Sequence, residues 1–199
     1  MFIEEPSPSP ERQAFYEGDI KGLGYVMNVT RAWAWVPAIS AGLFALLDQA
    51  AEAGGLTFRD KGILITAMAS TMEDSNCSLA WGTRLAEASD PETAAAVIAG
   101  HASSSMTVRD RALASWARRL ADAPNATNQA DVDDLREAGL SDQQIVAASS
   151  YIALRIAFST VNNAIGAAPD KERAEVAPPQ VVGAISFGRP TDPSPSTGR

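Results

Sequence analysis

Helix starts and stops punctuate the chain, and they limit the fold more than any other feature. Thr57 with Asp60, Thr107 with Asp110, Asn128 with Asp131 and Ser141 with Gln144 each place a capping side chain three residues before a carboxylate or amide. That spacing satisfies two otherwise free backbone donors at a helix start. Asp90-Pro91 is a start of another kind, a capping Asp followed by a residue whose missing N–H costs nothing there. Glycines stand where helices should stop: Gly54-Gly55, Gly100, Gly139 and Gly166. Between these signals the apolar residues follow the helical period. Pro37 to Ala53 sets Ile39, Leu43, Leu46, Leu47 and Ala50 on one face, and Leu113, Trp116, Ala117 and Leu120 form a second stripe. Ile63 to Met72 is apolar on nearly every side and should be wholly buried. A helix over about Cys77 to Ala88 follows it, Glu11 to Ile20 forms a short one, and the longest runs from Ser141 to about Ile165. Tyr25 to Val36, with Trp33 and Trp35, reads as a short connecting element. No segment sustains the alternation of a strand, so the fold class is all-α.

Three parts follow. Residues 1–21 are an N-terminal segment, Pro/Ser-rich and mobile over its first ten residues. Residues 22–166 are the helical domain. Residues 167–199 are a Pro/Gly-rich tail in which Val181 to Phe187 alone is apolar enough to dock. Inside the domain, Leu56-Thr57-Phe58-Arg59-Asp60-Lys61 echoes Met106-Thr107-Val108-Arg109-Asp110-Arg111; shared capping chemistry is sufficient to explain the likeness.

Charge narrows the partners. The chain of 199 residues carries a net charge of −8 and no run of Lys or Arg. Nucleic acid and an anionic membrane surface are therefore excluded as expected partners. One cysteine cannot form an internal disulfide, and Met1 to Pro6 has no basic start and no apolar signal core. No uninterrupted apolar run is long enough to span a bilayer. The expected location is the cytoplasm.

Cys77 is that single cysteine, and it lies in the first turn of its helix whether Ser75 or Asn76 is the cap. Free backbone N–H groups and the positive end of the helix dipole favour thiolate there. Trp81 and Arg84, four and seven residues on, share its face, and Arg84 is expected to lean back toward the sulfur. Glu73 and Asp74 act the other way, because nearby negative charge raises a thiol pKa. The alternative is a small buried hydrophobe with no chemistry. On the longest helix, Tyr151, Arg155, Ser159 and Asn162 form a polar stripe among apolar residues. They could wall a pocket; an ion pair of Arg155 with Asp60 or Glu73 is the favoured reading. His101 is the sole histidine, and no Cys/His set has metal-ligand spacing, so neither a metal nor a cofactor is expected.

The order of these elements resembles a known family. Gly24-Tyr25-Val26-Met27-Asn28 leads to Pro37. Leu56-Thr57-Phe58-Arg59-Asp60 opens a buried helix that ends at a lone Cys. Arg109-Asp110-Arg111-Ala112-Leu113, Gly139-Leu140-Ser141-Asp142 and Phe158-Ser159-Thr160-Val161-Asn162-Asn163-Ala164-Ile165-Gly166 complete the series. This is similar to the carboxymuconolactone decarboxylase/alkylhydroperoxidase D superfamily, above all its peroxidase-related branch, over about Gly22 to Gly166. The resemblance implies a helical bundle assembled as a dimer, trimer or hexamer. Peroxidase members of that family use a Cys-x-x-Cys pair at a helix start, a histidine four residues later and a glutamate on the preceding helix. Here Cys77 stands at the first cysteine, Ala80 at the second and Arg84 at the histidine, while Gly62, Ile63 and Ile65 cover the glutamate.

Three functions are open to such a chain. The first is a single-cysteine peroxidase, an antioxidant oxidoreductase in which Cys77 attacks a peroxide, Arg84 holds the thiolate and an external thiol completes the cycle. The second is a cofactor-free decarboxylase or lactone enzyme, with Arg84 or Arg155 binding a small organic acid and Cys77 or Asp74 moving a proton. The third is a non-catalytic member that binds a small molecule. Trp81, Arg155, Ser159 and Asn162 are the expected substrate contacts.

Overall fold

The computed structural model describes residues 1–191, and among these every regular element is helical, with no strand. The elements are α1 (Pro10–Leu23), α2 (Asn28–Trp33), α3 (Pro37–Gly54), α4 (Phe58–Thr71), α5 (Ser75–Ala88), α6 (Pro91–Ala99), α7 (Val108–Asp122), α8 (Gln129–Glu137), α9 (Asp142–Ala164), α10 (Lys171–Val176) and α11 (Pro179–Ala184). All four expected capping boxes form, at Thr57, Thr107, Asn128 and Ser141. The helix starts therefore follow from local chemistry before any packing.

Packing then centres on α4. It lies against α5, α6, α7 and α9, and Ile63, Leu64, Ile65 and Met68 are fully buried. Its all-round apolar surface is satisfied within the single chain. The echoed sequences at the starts of α4 and α7 turn out to pair with each other. Arg59 reaches Asp110 at 2.8 Å, and Arg109 reaches Asp60 at 3.0 Å. Each aspartate thus closes its own capping box and accepts the other helix's arginine.

The described parts of both flanking segments are more ordered than the sequence suggests. The boundary drawn between residues 21 and 22 falls inside α1, which Ser9 caps and Gly24 closes in the left-handed region. The first residues are tied down: the Phe2 N–H donates to the Ile165 carbonyl at 2.9 Å, and Arg31 pairs with Glu5 at 2.7 Å. In the tail, Val181 of α11 is fully buried against α5 and α6. It fits because residue 82 is glycine; a Cβ there would lie 2.9 Å from both Val181 and Ile98. Beyond α11 the chain straps back over the start of α5. The Ser75 hydroxyl donates to the Arg189 carbonyl (2.7 Å) and accepts from the Arg189 N–H (3.0 Å). Gly188, at φ 71°, lies so close to the Glu73 carbonyl that no side chain fits. The end of the tail, 192–199, lies outside the described residues.

One expectation needs amendment. α9 is long and apolar enough, by length and a mean hydropathy of 1.3, to cross a membrane. One face of it packs on α3, α4 and α7, and it carries the polar stripe described next.

Candidate active site

The site is built where α5 begins and the middle of α9 passes. Three consecutive residues, Asp74, Ser75 and Asn76, can each cap a helix, and the fold selects Asp74. Its Oδ1 accepts the Cys77 N–H at 2.9 Å. The expected cap, Ser75 or Asn76, is displaced because Ser75 is engaged by the strap. This choice brings a buried carboxylate next to the cysteine.

Arg155, not Arg84, holds the sulfur. Its Nη2 lies 3.8 Å from Cys77 Sγ. Neither favoured ion-pair partner reaches it, since Asp60 is taken by Arg109, and Arg155 forms no salt bridge among the described residues. Arg155 is 4% exposed and its Nε has no hydrogen-bond partner. What surrounds it is aromatic: the guanidinium stands 5.4 Å from the Trp81 ring centre and 5.1 Å from that of Phe158. Arg84 stacks on the same Trp81 at 4.9 Å rather than leaning onto the sulfur. Two guanidinium groups therefore share one indole, a favourable use of its negative faces.

The rest of the α9 stripe converges on the same place. Ser159 and Asn162 are fully buried. Asn162 Oδ1 accepts from Trp33 Nε1 at 2.8 Å, and because an indole N–H only donates, the amide is fixed with Nδ2 as its free donor. Asn162 Nδ2, the Ser159 hydroxyl and Arg155 Nε all lack partners, as does Asp74 Oδ2. Each buried polar group left without a partner costs about 1–3 kcal/mol. Trp33 was not foreseen as a site residue. Its stacking on Phe158, with ring centres 5.4 Å apart, and its bond to Asn162 assign it a positioning role.

The electrostatics reverse the expected direction for the thiol. Cys77 is 2% exposed, and burial pushes its pKa up to about 12; Asp74 adds to this, while Arg155 and Ser159 pull down without cancelling it. Ser159 and Asp74 influence the sulfur even though neither the Ser159 hydroxyl nor Asp74 Oδ2 makes a bond of ordinary geometry. The helix dipole is worth about 0.3–1 kcal/mol, whereas full burial shifts a pKa by up to about 3–5 units, so burial wins. Resting Cys77 is a thiol. Arg84 is pushed below its usual value, first by burial and then by repulsion from Arg173 and Arg155. Among the described residues, no group of three or more His, Cys, Asp or Glu side chains could hold a metal ion.

The same arrangement of helices occurs in solved structures. A peroxidase-related protein from Ralstonia eutropha with an alkylhydroperoxidase AhpD core is 26% identical, with a TM-score of 0.74 over 86% of this chain and 93% of that one. A peroxidase-related protein from Silicibacter sp. has the same TM-score and coverage at 19% identity. The chain shares the alkylhydroperoxidase D-like fold of these peroxidase-related proteins. The fold also carries other chemistry. A cysteine-to-alanine variant of the debrominase Bmp8, in complex with 2,3,4-tribromopyrrole, matches at a TM-score of 0.73 and 13% identity, over 94% of this chain and 98% of that one. No protein-family model matches the sequence, and no curated protein matches it. As an alkylhydroperoxidase D-like chain it is unusual at its centre. Ala80 and Arg84 stand where the resemblance puts the redox partner and the histidine, and on α4 Gly62, Ile63 and Ile65 are buried packing residues. The carboxylate beside the sulfur comes instead from the cap, Asp74.

Proposed function

We propose that the protein is a cofactor-free, single-cysteine thiol peroxidase. The observation that carries this is the setting of the Cys77 sulfur, with Arg155 3.8 Å away, a buried carboxylate at Asp74, and unpartnered donors on Ser159 and Asn162. A nucleophile and a base stand together on α5, with unpartnered donors on the α9 stripe, the groups that peroxide cleavage uses.

The reaction balances on these groups. Asp74 takes the S–H proton as the sulfur attacks the outer peroxide oxygen. The S–O bond forms, the O–O bond breaks, and the departing alkoxide leaves as an alcohol with the proton that Asp74 holds. Arg155 stabilises the thiolate during transfer, and Ser159 and Asn162 donate to the peroxide oxygens. Cys77 is left as a sulfenic acid. With no second cysteine in the chain, an external thiol condenses with it to release water, and a second thiol frees Cys77 as the mixed disulfide is reduced. A thiol that ionises only when a base and a substrate are in place is protected from adventitious oxidation.

The test is consumption of cumene hydroperoxide in excess dithiothreitol, followed for wild type and Cys77→Ser. Consumption should require Cys77 and dithiothreitol together. Equal rates for the two proteins would remove the proposal.

A further inference from the structure

A cavity not lined by Cys77 lies between α1 and α10. Its volume is about 970 Å3, within the range of small-molecule sites. Ile20, Leu23, Val26 and Val176 give it apolar walls, and Arg173 and Tyr16 also line it. Two of its polar atoms, Arg173 Nε and the Tyr16 hydroxyl, have no hydrogen-bond partner. Arg173 is 8% exposed, and its Nε has no hydrogen-bond partner; its other contacts are soft, the Met27 sulfur at 3.8 Å from Nη2 and the Tyr25 hydroxyl. The Tyr16 hydroxyl is likewise buried without a partner.

Asp170 feels the Arg173 charge, but among the described residues no carboxylate around the cleft is in a salt bridge with it. Glu5 is matched by Arg31 at 2.7 Å and Glu175 by Lys171 at 3.7 Å. Glu172 also faces the cleft and has contacts of its own. Asp170, at the start of α10, accepts the Asn28 N–H at 2.7 Å. Arg173 is in no salt bridge among the described residues. A nearly buried guanidinium with a free N–H, beside a free hydroxyl donor and apolar walls, matches one kind of ligand. It needs two acceptor oxygens with negative charge on a hydrocarbon or aromatic body.

We propose that the cleft between α1 and α10 binds an amphipathic organic carboxylate, anchored on Arg173 and assisted by Tyr16. This site is separate from Cys77 and does not depend on the peroxidase reading. It has an electrical connection to that chemistry, however. Arg173 and Arg155 both repel Arg84, so neutralising Arg173 relieves the cation cluster behind Trp81.

The probe is octanoate, with octanol as the uncharged control, followed by calorimetry on the full chain. Saturable binding of octanoate but not octanol is expected. It should weaken about 10-fold or more in Arg173→Gln, the effect of losing a charged hydrogen bond, and several-fold in Tyr16→Phe. Cys77→Ser should bind as wild type does, which locates the site away from the thiol. Circular dichroism confirms that each variant is folded; Tyr16→Phe, which removes one oxygen, decides the matter if Arg173→Gln unfolds. No octanoate binding, equal binding of octanol, or binding unaffected by the Tyr16 and Arg173 changes would overturn the proposal.

Discussion

At the scale of single residues, Asp74 carries the most information. It caps α5 through Oδ1 and leaves Oδ2 free beside a thiol whose pKa it helps to raise. These two effects separate on substitution. Asp74→Asn keeps a capping side chain but loses the charge and the base. Alkylation by iodoacetamide at pH 8.5 should become faster, because the thiol ionises more readily, while peroxide turnover should fall about 100-fold. Both rates moving in the same direction would contradict this assignment. The thiol also links stability to alkaline pH. Folded Cys77 keeps its proton to about 12 against an ordinary value of 9.0, so its contribution is complete below about pH 9 and is lost as pH rises toward 12. The polar stripe of Arg155, Ser159 and Asn162 was legible from its period alone. The choice of cap and the sign of the thiol shift were not, because Asp74, Ser75 and Asn76 are equivalent locally and burial is a property of the assembled core.

At the scale of elements, the capping boxes were fully legible, since each depends on four neighbouring residues. Their cross-pairing was not, because it requires the starts of α4 and α7 to meet. Asp110 is the group to test. Burial pushes its pKa up, but Arg59 and the Thr107 N–H and hydroxyl outweigh burial and leave it below the usual value. A depressed carboxylate stabilises the fold above its unfolded pKa, near 3.8, and that stability is lost as pH falls through the folded value. Arg59→Ala should cost about 2 kcal/mol at pH 7, lowering Tm by about 4–8 °C. The difference from wild type should shrink as pH falls through the depressed folded value, where Asp110 becomes protonated in both proteins. A Tm difference unchanged by acid would mean that Arg59 acts through packing alone.

At the scale of the whole molecule, two surfaces follow from the fold. α3 and α9 pack together yet leave apolar side chains outward, with Ile39 63% and Val146 66% exposed. α4 is buried within one chain, so this outer face is the apolar surface left for assembly. We expect a homo-oligomer in solution, and light scattering that gives a monomer mass at micromolar concentration would contradict it. The strap from residue 185 to 191 is the second feature. It holds the start of α5 through Ser75, and Arg189 also donates to the Asn163 carbonyl at 3.1 Å. Ending the chain after Ala184 should leave α11 in place and speed Cys77 alkylation several-fold by loosening the cap. An unchanged rate would show that the strap does not cover the sulfur. The central claim is that Cys77 alone carries the oxidation. Intact-protein mass spectrometry after one equivalent of cumene hydroperoxide, without added thiol, tests it most directly. The account predicts a gain of one oxygen atom on Cys77, return to the starting mass with dithiothreitol, and no further peroxide consumed in between. Continued turnover without thiol, or an unmodified Cys77 after peroxide is consumed, would contradict it.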